Sequence, residues 1–242
     1  MSRIVWIVLL CAPMLFSKTL SATYEVSFGI FQKLGVAETT LQINDDQTYR
    51  IRVEAKTTGW AKTLSNNRTE LYESRGIVRN GRLIPSVYTT MRKSNSKMSL
   101  KTYTFDHANR VVWKETLKTT ADGEENRNRE TNEYYASEDI LSLFFNLKLY
   151  TIKRQSTYFN AIGGNKEDGR IDTIFPRNEA LAKMKQELQL EDGEFLKVIL
   201  NERIFSSEKG ELMINLDDDG LCRKAVLKDV LLFGDIVGTR IR

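Results

Sequence analysis

Apolar and polar side chains alternate along most of the chain, and this alternation predicts a protein built from β-strands. The clearest case is Gln47–Lys56, where Tyr49, Ile51 and Val53 fall on one face while charged residues occupy the other. Successive side chains of a strand point to opposite sides, so this segment has one buried and one wet face, as antiparallel sheets do. By the same criterion strands are predicted at Thr23–Phe31, Leu34–Ile43, Arg68–Arg79, Arg82–Lys93, Leu100–Asp106, Arg110–Lys118, Thr157–Gly163, Arg170–Phe175, Glu194–Ile204, Glu211–Asp217, Leu221–Leu232 and Ile236–Ile241.

One apolar segment interrupts the alternation and predicts a helix at residues 137–149. Ser137 is suited to cap its first turn, because a serine hydroxyl accepts a hydrogen bond from a free N–H. Leu141, Phe144 and Phe145 give this helix an apolar face. We therefore expect the sheet to be organised around it.

A second helix is predicted at Glu179–Gln189, where Asn178 can cap the first turn. Many antiparallel strands with one or two helices indicate a mainly β fold. We predict a single curved antiparallel sheet, or a partly open β-barrel, wrapped around one or two helices. It forms one domain at residues 23–242.

Turn residues set the hairpins between these strands. Asn80-Gly81 favours a tight hairpin turn, because that turn requires positive φ at both positions. Pro85 lacks a backbone donor, so its strand lies at an edge of the sheet or carries a bulge at this residue. The polar, charge-rich tract Thr119–Glu133 predicts an exposed, mobile loop.

Residues 1–22 are typical of a secretory signal, with Arg3 before the apolar run Ile4–Phe16 and small residues after it. We predict cleavage after Ala22 and a periplasmic protein. An uncleaved inner-membrane anchor is the alternative, although a bilayer-spanning helix needs roughly 20 apolar residues and this run is shorter.

Charge and residue usage exclude several classes of function. The chain has 36 basic and 32 acidic residues without a basic block, which argues against nucleic-acid binding. It has one histidine, His107, in a predicted turn, and Cys222 is the only cysteine outside the signal. Ser-His-Asp and Cys-His chemistry require a positioned imidazole, and zinc sites require several histidines or cysteines. We therefore predict no enzyme, no metal site and no cofactor.

The segment Asn215–Gly220 resembles the start of a calcium-binding loop. The twelfth position of such a loop carries a bidentate acid, and that position here is Val226. An Asx-rich hairpin turn explains the segment better.

An ordered set of short motifs resembles the bacterial DUF3108 family of exported envelope proteins. The motifs are Thr58-Gly59, Gly76 with Pro85, Phe105-Asp106, Asp139 with Ser142, and Asp217 to Asp219. The resemblance spans Ala22 to Arg242 and implies an exported, β-rich envelope protein, but it brings no activity. The architecture is also similar to half-barrel lipoprotein carriers, in which a curved sheet holds acyl chains under a helix; that analogy concerns the fold alone.

Aromatic residues suggest a candidate apolar groove between the sheet and the first predicted helix. Its predicted lining residues are Trp60, Tyr88, Trp113, Tyr135, Phe144 and Phe145. The simpler interpretation is that these side chains fill the core, since aromatic residues dominate core burial. A groove that binds a ligand must be larger than its own side chains can fill.

Three functions fit the sequence. The first is an exported, monomeric binding or structural protein without catalysis, whose partner is an acyl chain or another apolar envelope ligand. The second is a histidine-independent glycan hydrolase that uses an Asp/Glu pair, which leaves no fixed sequence spacing. The third is a scaffold that pairs an edge strand with another envelope protein.

Overall fold

The described part of the chain forms one antiparallel sheet of fourteen strands with three helices. The computed structural model describes residues 17–29, 33–150, 152–200, 210–228 and 234–242. The strands are β1 (Lys18–Phe28), β2 (Lys33–Ile43), β3 (Thr48–Thr57), β4 (Thr69–Arg79), β5 (Arg82–Lys93), β6 (Met98–Asp106), β7 (Val111–Thr119), β8 (Glu125–Thr131), β9 (Thr157–Asn160), β10 (Arg170–Ile174), β11 (Glu194–Ile199), β12 (Glu211–Leu216), β13 (Cys222–Leu227) and β14 (Ile236–Arg240). The helices are α1 (Gly59–Leu64), α2 (Ile140–Tyr150) and α3 (Asn178–Leu188).

The order of the strands places α2 between the two edges of the sheet. The order is β8-β7-β6-β5-β4-β3-β2-β1-β14-β13-β12-β11-β10-β9, with every neighbouring pair antiparallel. The edge strands β8 and β9 follow each other in the chain, and α2 is the connection between them. The predicted mainly β fold, with a single open antiparallel sheet, is therefore confirmed.

Helix α2 packs against both halves of the sheet. Leu143 and Leu147 belong to a buried cluster with strands β10 to β13. Leu141 and Phe145 pack against a second cluster, formed by β2, β3 and β5. A helix that is apolar on nearly all sides must be surrounded by other elements, and the curved sheet surrounds α2 in this way.

Helix α3 covers the opposite face of the C-terminal strands. Its Met184 and Leu188 form a cluster with Phe195, Met213 and Val226. Adjacent strand residues point to opposite faces, so the neighbours of these strand residues pack towards α2 instead. Strands β11 to β13 are therefore apolar on both faces.

A β-bulge accommodates Pro85 in the interior strand β5. The register between β4 and β5 shifts between Arg75 and Gly76, and Gly76 lies opposite Pro85. A Cβ atom at Gly76 would lie 1.9 Å from the carbonyl oxygen of Ile84, so the two backbones can approach closely only at a glycine. Of the two sequence-based alternatives for Pro85, the bulge is the one that the structure shows.

The predicted hairpin turn is confirmed, whereas the predicted loop at Thr119–Glu133 is wrong. Asn80 and Gly81 have φ values of 53° and 76°, as a tight hairpin turn requires. The tract contains β8, which pairs with β7 over all seven of its residues. Every residue of β8 is exposed, so the strand has no apolar face and no alternation to detect.

Strand β1 begins inside the predicted signal segment 1–22. Lys18 to Ala22 pair with Ile43 to Thr39 of β2, and Ala22 is only 4% exposed. Residues 1–16 lie outside the described part of the chain, as do the predicted ends of three strands at 30–31, 201–204 and 229–232. Among the described residues, no helix is both long enough and apolar enough to cross a membrane. Cleavage after Ala22 stays a prediction.

Candidate functional site

The first turn of α2 is capped by Asp139 rather than by the predicted Ser137. One carboxylate oxygen of Asp139 accepts hydrogen bonds from the backbone N–H groups of Leu141 and Ser142, at 2.8 and 3.0 Å. In return, the Ser142 hydroxyl accepts a bond from the Asp139 N–H at 3.0 Å. This reciprocal pattern satisfies donors that a helix start otherwise leaves free. The prediction was wrong because Ser137 is exposed and lies before the residue that starts the turn.

Asp139 also fastens α2 to the sheet. Its second carboxylate oxygen accepts a hydrogen bond from the Ser74 hydroxyl at 2.6 Å, and Ser74 contacts the Tyr49 hydroxyl at 3.0 Å. The Asp139 side chain is fully buried, and burial raises its pKa to about 6 although its hydrogen bonds act in the opposite direction. The network connects α2 to strands β3 and β4.

The neighbouring Glu138 makes a second connection between α2 and the sheet. Its Oε1 atom accepts hydrogen bonds from Asn146 Nδ2 and the Tyr150 hydroxyl, both at 2.6 Å. Arg82 donates to the same oxygen at 3.3 Å. Glu138 is 3% exposed and Asp139 is fully buried, so these adjacent carboxylates face protein donors rather than an open cleft. Their bonds position the helix.

Two of the predicted groove residues, Tyr88 and Tyr135, lie in one aromatic cluster beside α2. Tyr88 is 2% exposed and stacks on Tyr103, with ring centroids 5.8 Å apart. Tyr135 is half-buried, and its hydroxyl lies 3.0 Å from Nδ1 of His107. Ile162, from the connection between β9 and β10, is buried in the same cluster.

The remaining predicted groove residues do not share one surface. Phe144 and Phe145 meet edge to face on α2, with centroids 5.4 Å apart, and pack against different halves of the sheet. Trp113 is 40% exposed and follows the buried Val112, so it lies on the outer face. The prediction that Trp113 lines the space beside α2 is therefore corrected; alternation alone did not show which face was inside. The Trp60 side chain lies outside the described part of the structure.

His107 and Cys222 both occupy structural positions. The Nε2 atom of His107 lies 2.6 Å from the carbonyl oxygen of Pro85, at the bulge of β5. Cys222 is buried in β13, and burial raises the pKa of its thiol to about 12. A thiol with so high a pKa forms little thiolate, which is the nucleophilic form.

The described residues contain no group of three or more His, Cys, Asp or Glu side chains placed to hold a metal ion. In the Asn215–Gly220 segment, Asp217 accepts hydrogen bonds from the N–H groups of Asp219 and Leu221 and pairs with Arg240 at 2.6 Å. These are the bonds of an Asx-rich hairpin turn.

Two depressions of the described surface lie away from the residues packed around α2. One, of about 400 Å³, lies around α1 between Lys56 and Thr69. The other, of about 490 Å³, lies on strands β6 to β8 and is lined by Lys101, Lys114, Thr116, Lys118, Asn126, Arg127, Asn128 and Glu130. We call the second the basic depression. We take it as the candidate binding surface because charged and polar side chains from three neighbouring strands converge there.

The basic depression continues the aromatic cluster along the same face of the sheet. Phe105 and Val112 are buried in the cluster and lie opposite each other in the β6–β7 pair. Tyr103 and Lys101 follow Phe105 at intervals of two residues on β6, so they share its face. The concave side of the sheet thus changes from apolar beside α2 to tyrosine and then to lysine.

Sequence reasoning missed this surface. The available signal was the spacing of two in Lys114, Thr116 and Lys118 on β7, which places these residues on one face. The neighbouring contribution of β8 could not be found, because the polar sequence of that segment predicts a loop.

The fold and site together define an open antiparallel sheet wrapped around an internal helix, with a polar depression on its concave side. The family model for "Protein of unknown function (DUF3108)" matches residues 23–220. The chain therefore belongs to the DUF3108 family, as its motifs predicted.

The chain is similar to a solved structure, that of a beta-barrel-like protein of the domain of unknown function DUF1849 from Brucella abortus. The two are 8% identical, with a TM-score of 0.34, and the match covers 92% of this chain and 95% of the other. No curated protein matches the chain.

Proposed function

We propose that this chain is an exported, periplasmic binding protein of the bacterial cell envelope that holds a ligand on the concave side of its sheet. The observation that carries the proposal is the basic depression on β6 to β8, about 490 Å³ in volume. It lies on the inner face of the sheet beyond the reach of α2. In ligand sites a few convergent polar groups fix the orientation of the ligand, and the basic depression supplies such groups from three neighbouring strands.

An apolar ligand beside α2 has less support than a ligand in the basic depression. Leu143, Leu147 and Phe145 already pack against the sheet on both sides of the helix. An acyl chain would have to displace these side chains before it could enter. The polar surface is open without any rearrangement.

The alternatives of a hydrolase and an edge-strand scaffold also have less support. The buried carboxylates Glu138 and Asp139 are held by helix and sheet donors. The edge strand β9 has only four residues, and β8 carries charges along its whole length. Short and charged edges are the means by which sheets avoid pairing with other chains.

Native mass spectrometry of the protein isolated from the envelope fraction tests the ligand. We expect an added mass on the wild-type protein. Thr116→Trp should abolish it, because a large side chain would fill the basic depression without changing its charge. Thr102→Trp is the matched control, since Thr102 lies on the outer face of the adjacent β6. A bare wild-type mass, or an added mass retained by Thr116→Trp, would contradict the proposal.

The N-terminus of the same preparation tests export. A chain beginning at Thr23 is the sequence-based expectation and would remove five residues of β1. A chain retaining Lys18 to Ala22 would keep their pairing with β2 and move the cleavage point earlier. Recovery of the unprocessed chain in the cytoplasmic fraction alone would argue against export.

A further inference from the structure

The basic depression has a regular arrangement of side chains that follows from strand register. Lys101 of β6 lies opposite Thr116 of β7, which lies opposite Asn128 of β8. Two residues further along each strand, towards the aromatic cluster, a second row is formed by Tyr103, Lys114 and Glu130. Two residues along each strand in the opposite direction, away from the aromatic cluster, a third row is formed by Ser99, Lys118 and Asn126. Residues two apart on a strand share a face, so the three rows form one continuous surface.

Strand β5 adds another cation to this surface. Arg92 lies opposite Ser99, and Thr90 lies opposite Lys101. On the β4 side, Glu70 lies opposite Arg92 and pairs with it at 3.8 Å. Glu70 also pairs with Arg68 and accepts a hydrogen bond from the Tyr72 hydroxyl, so its charge is already shared.

Positive charge exceeds negative charge on this face. The cations are Arg92, Lys101, Lys114 and Lys118, and the carboxylates are Glu70 and Glu130. Lys114 pairs with Glu130 at 2.7 Å. Lys101 and Lys118 form no ion pair with any described residue, although an opposite charge would relieve the repulsion between them.

Lys101 is the most constrained of these cations. It is half-buried, and burial lowers the pKa of its ammonium group. The charges of Lys114, Arg92, Lys118 and Lys166 lower it further. Lys166 belongs to the β9–β10 connection, so this segment also contributes positive potential at Lys101. An anion at this position would stabilise several cations at once.

The geometry points to a binding site for the phosphate group of an anionic ligand in the basic depression, with Lys101 and Lys118 as its principal contacts. Lysine ammonium groups are compact charges that bind phosphate without a fixed orientation. The Thr116 hydroxyl and the Asn128 amide supply neutral donors in the same row as Lys101. One of the two N–H groups of Asn128 already donates to Glu130 at 3.1 Å, which leaves the other for the ligand. This inference rests on the proposed function and names the chemistry of its ligand.

The test is isothermal titration calorimetry at low ionic strength with two anionic probes, inorganic phosphate and dihexanoyl phosphatidic acid. We expect binding that Lys101→Gln and Lys118→Gln each weaken by about tenfold or more, because charge-assisted bonds to the phosphate are lost. Lys183→Gln is the control, since Lys183 is an exposed lysine on α3, which covers the opposite face. It should bind like the wild-type protein.

The two probes distinguish the source of the phosphate. Binding of both indicates that the phosphate group suffices, whereas binding of the lipid alone indicates a phospholipid headgroup. Dihexanoyl phosphatidylcholine, whose headgroup has no net charge, should bind much more weakly than phosphatidic acid. Binding that is unchanged in the two lysine variants, or absent with both probes, would overturn the inference.

The failure of this inference can be separated from failure of the proposed function. An uncharged ligand found by mass spectrometry and displaced by Thr116→Trp would keep the proposed function and overturn the phosphate site. The Lys101→Gln protein should unfold at the same temperature as the wild type or a higher one, because it removes one charge from a group of like charges. A loss of binding in a folded variant then reports the site itself.

Discussion

The side-chain amide of Asn146 forms hydrogen bonds to both backbone groups of Leu83. The Leu83 N–H donates to Asn146 Oδ1 at 2.9 Å, and Asn146 Nδ2 donates to the Leu83 carbonyl oxygen at 2.9 Å. The β5–β6 pairing ends at Val87, so the first residues of β5 lack a strand partner on that side. Asn146 takes the place of a neighbouring strand for one residue and thereby fixes α2 against the sheet.

Asn146→Ala should lower the free energy of unfolding by about 2–4 kcal/mol. It leaves two buried backbone groups of Leu83 without a partner and removes one of the hydrogen bonds to Glu138, and each unsatisfied buried group costs about 1–3 kcal/mol. Lys148→Ala, at an exposed position of the same helix, should change stability by less than about 0.5 kcal/mol. Equal denaturation midpoints for the two variants would show that the Asn146 bonds contribute nothing measurable.

The burial of Asp139 makes stability depend on pH. Its pKa is about 6 in the folded protein and lower in the unfolded chain, so the folded state binds more protons between these values. The stabilisation from the protonated group is therefore complete below the unfolded pKa and is lost as the pH rises through about 6.

Asp139→Asn removes this titration and keeps an oxygen that can cap α2. Relative to Asp139→Asn, the wild-type free energy of unfolding should fall by up to about 3 kcal/mol as the pH rises from about 4 to 7. Urea denaturation of both proteins across this range measures the difference, since they share all other titrating groups. Parallel curves for the two proteins would mean that Asp139 titrates alike in the folded and unfolded states.

The strands with one apolar face could be predicted from sequence, because burial on one side leaves a period of two. Gln47–Lys56 is the clearest example, and Tyr49 and Ile51 are indeed in the core. Strand β8 could not be predicted, since both of its faces contact water and only backbone bonds to β7 hold it. The apolar character of α2 identified the central helix, and Asp139 with Ser142 already contained its cap.

The candidate site depended on information that a single sequence does not provide. Lys101 and Lys118 lie on different strands, and their proximity follows from the register of the β6–β7 hairpin. The face on which Trp113 lies depends on which side of the sheet α2 occupies. The choice of inner and outer face is a property of long-range packing, which local patterns do not encode.

Cys222 should be unreactive in the folded protein. Its thiol is buried and has a pKa near 12, so the thiolate is scarce at pH 8. The other cysteine of the sequence is Cys11, in the predicted signal segment. When it is replaced by alanine (Cys11→Ala), labelling by a thiol reagent should be slow in buffer and fast in denaturant. Rapid labelling under native conditions would place Cys222 at an accessible surface and contradict its position in the core.

Tyr88 and Trp113 test which predicted aromatic residues belong to the interior. Tyr88→Ala should cost about 3–5 kcal/mol, because it empties a fully packed position. Trp113→Ala should cost less than about 1 kcal/mol, since Trp113 is 40% exposed and its ring stacks with the exposed Arg129 guanidinium at 5.6 Å. Denaturation curves of the two variants measure the contrast. A larger loss for Trp113→Ala would reverse the assignment of the inner and outer faces.

Gly76 tests the bulge opposite Pro85. Gly76→Ala would place a Cβ atom 1.9 Å from the carbonyl oxygen of Ile84, and a clash with backbone cannot be relieved by rotating a side chain. We expect a loss of about 3 kcal/mol or more, at the upper end of overpacking costs. Gly238→Ala is the matched control on β14, because a Cβ there meets no atom within 4 Å. The control should be neutral or stabilising, since alanine reduces the entropy of the unfolded chain. Two variants of equal stability would mean that β4 and β5 can separate at this point, and the bulge would then not fix the Pro85 carbonyl oxygen that His107 contacts.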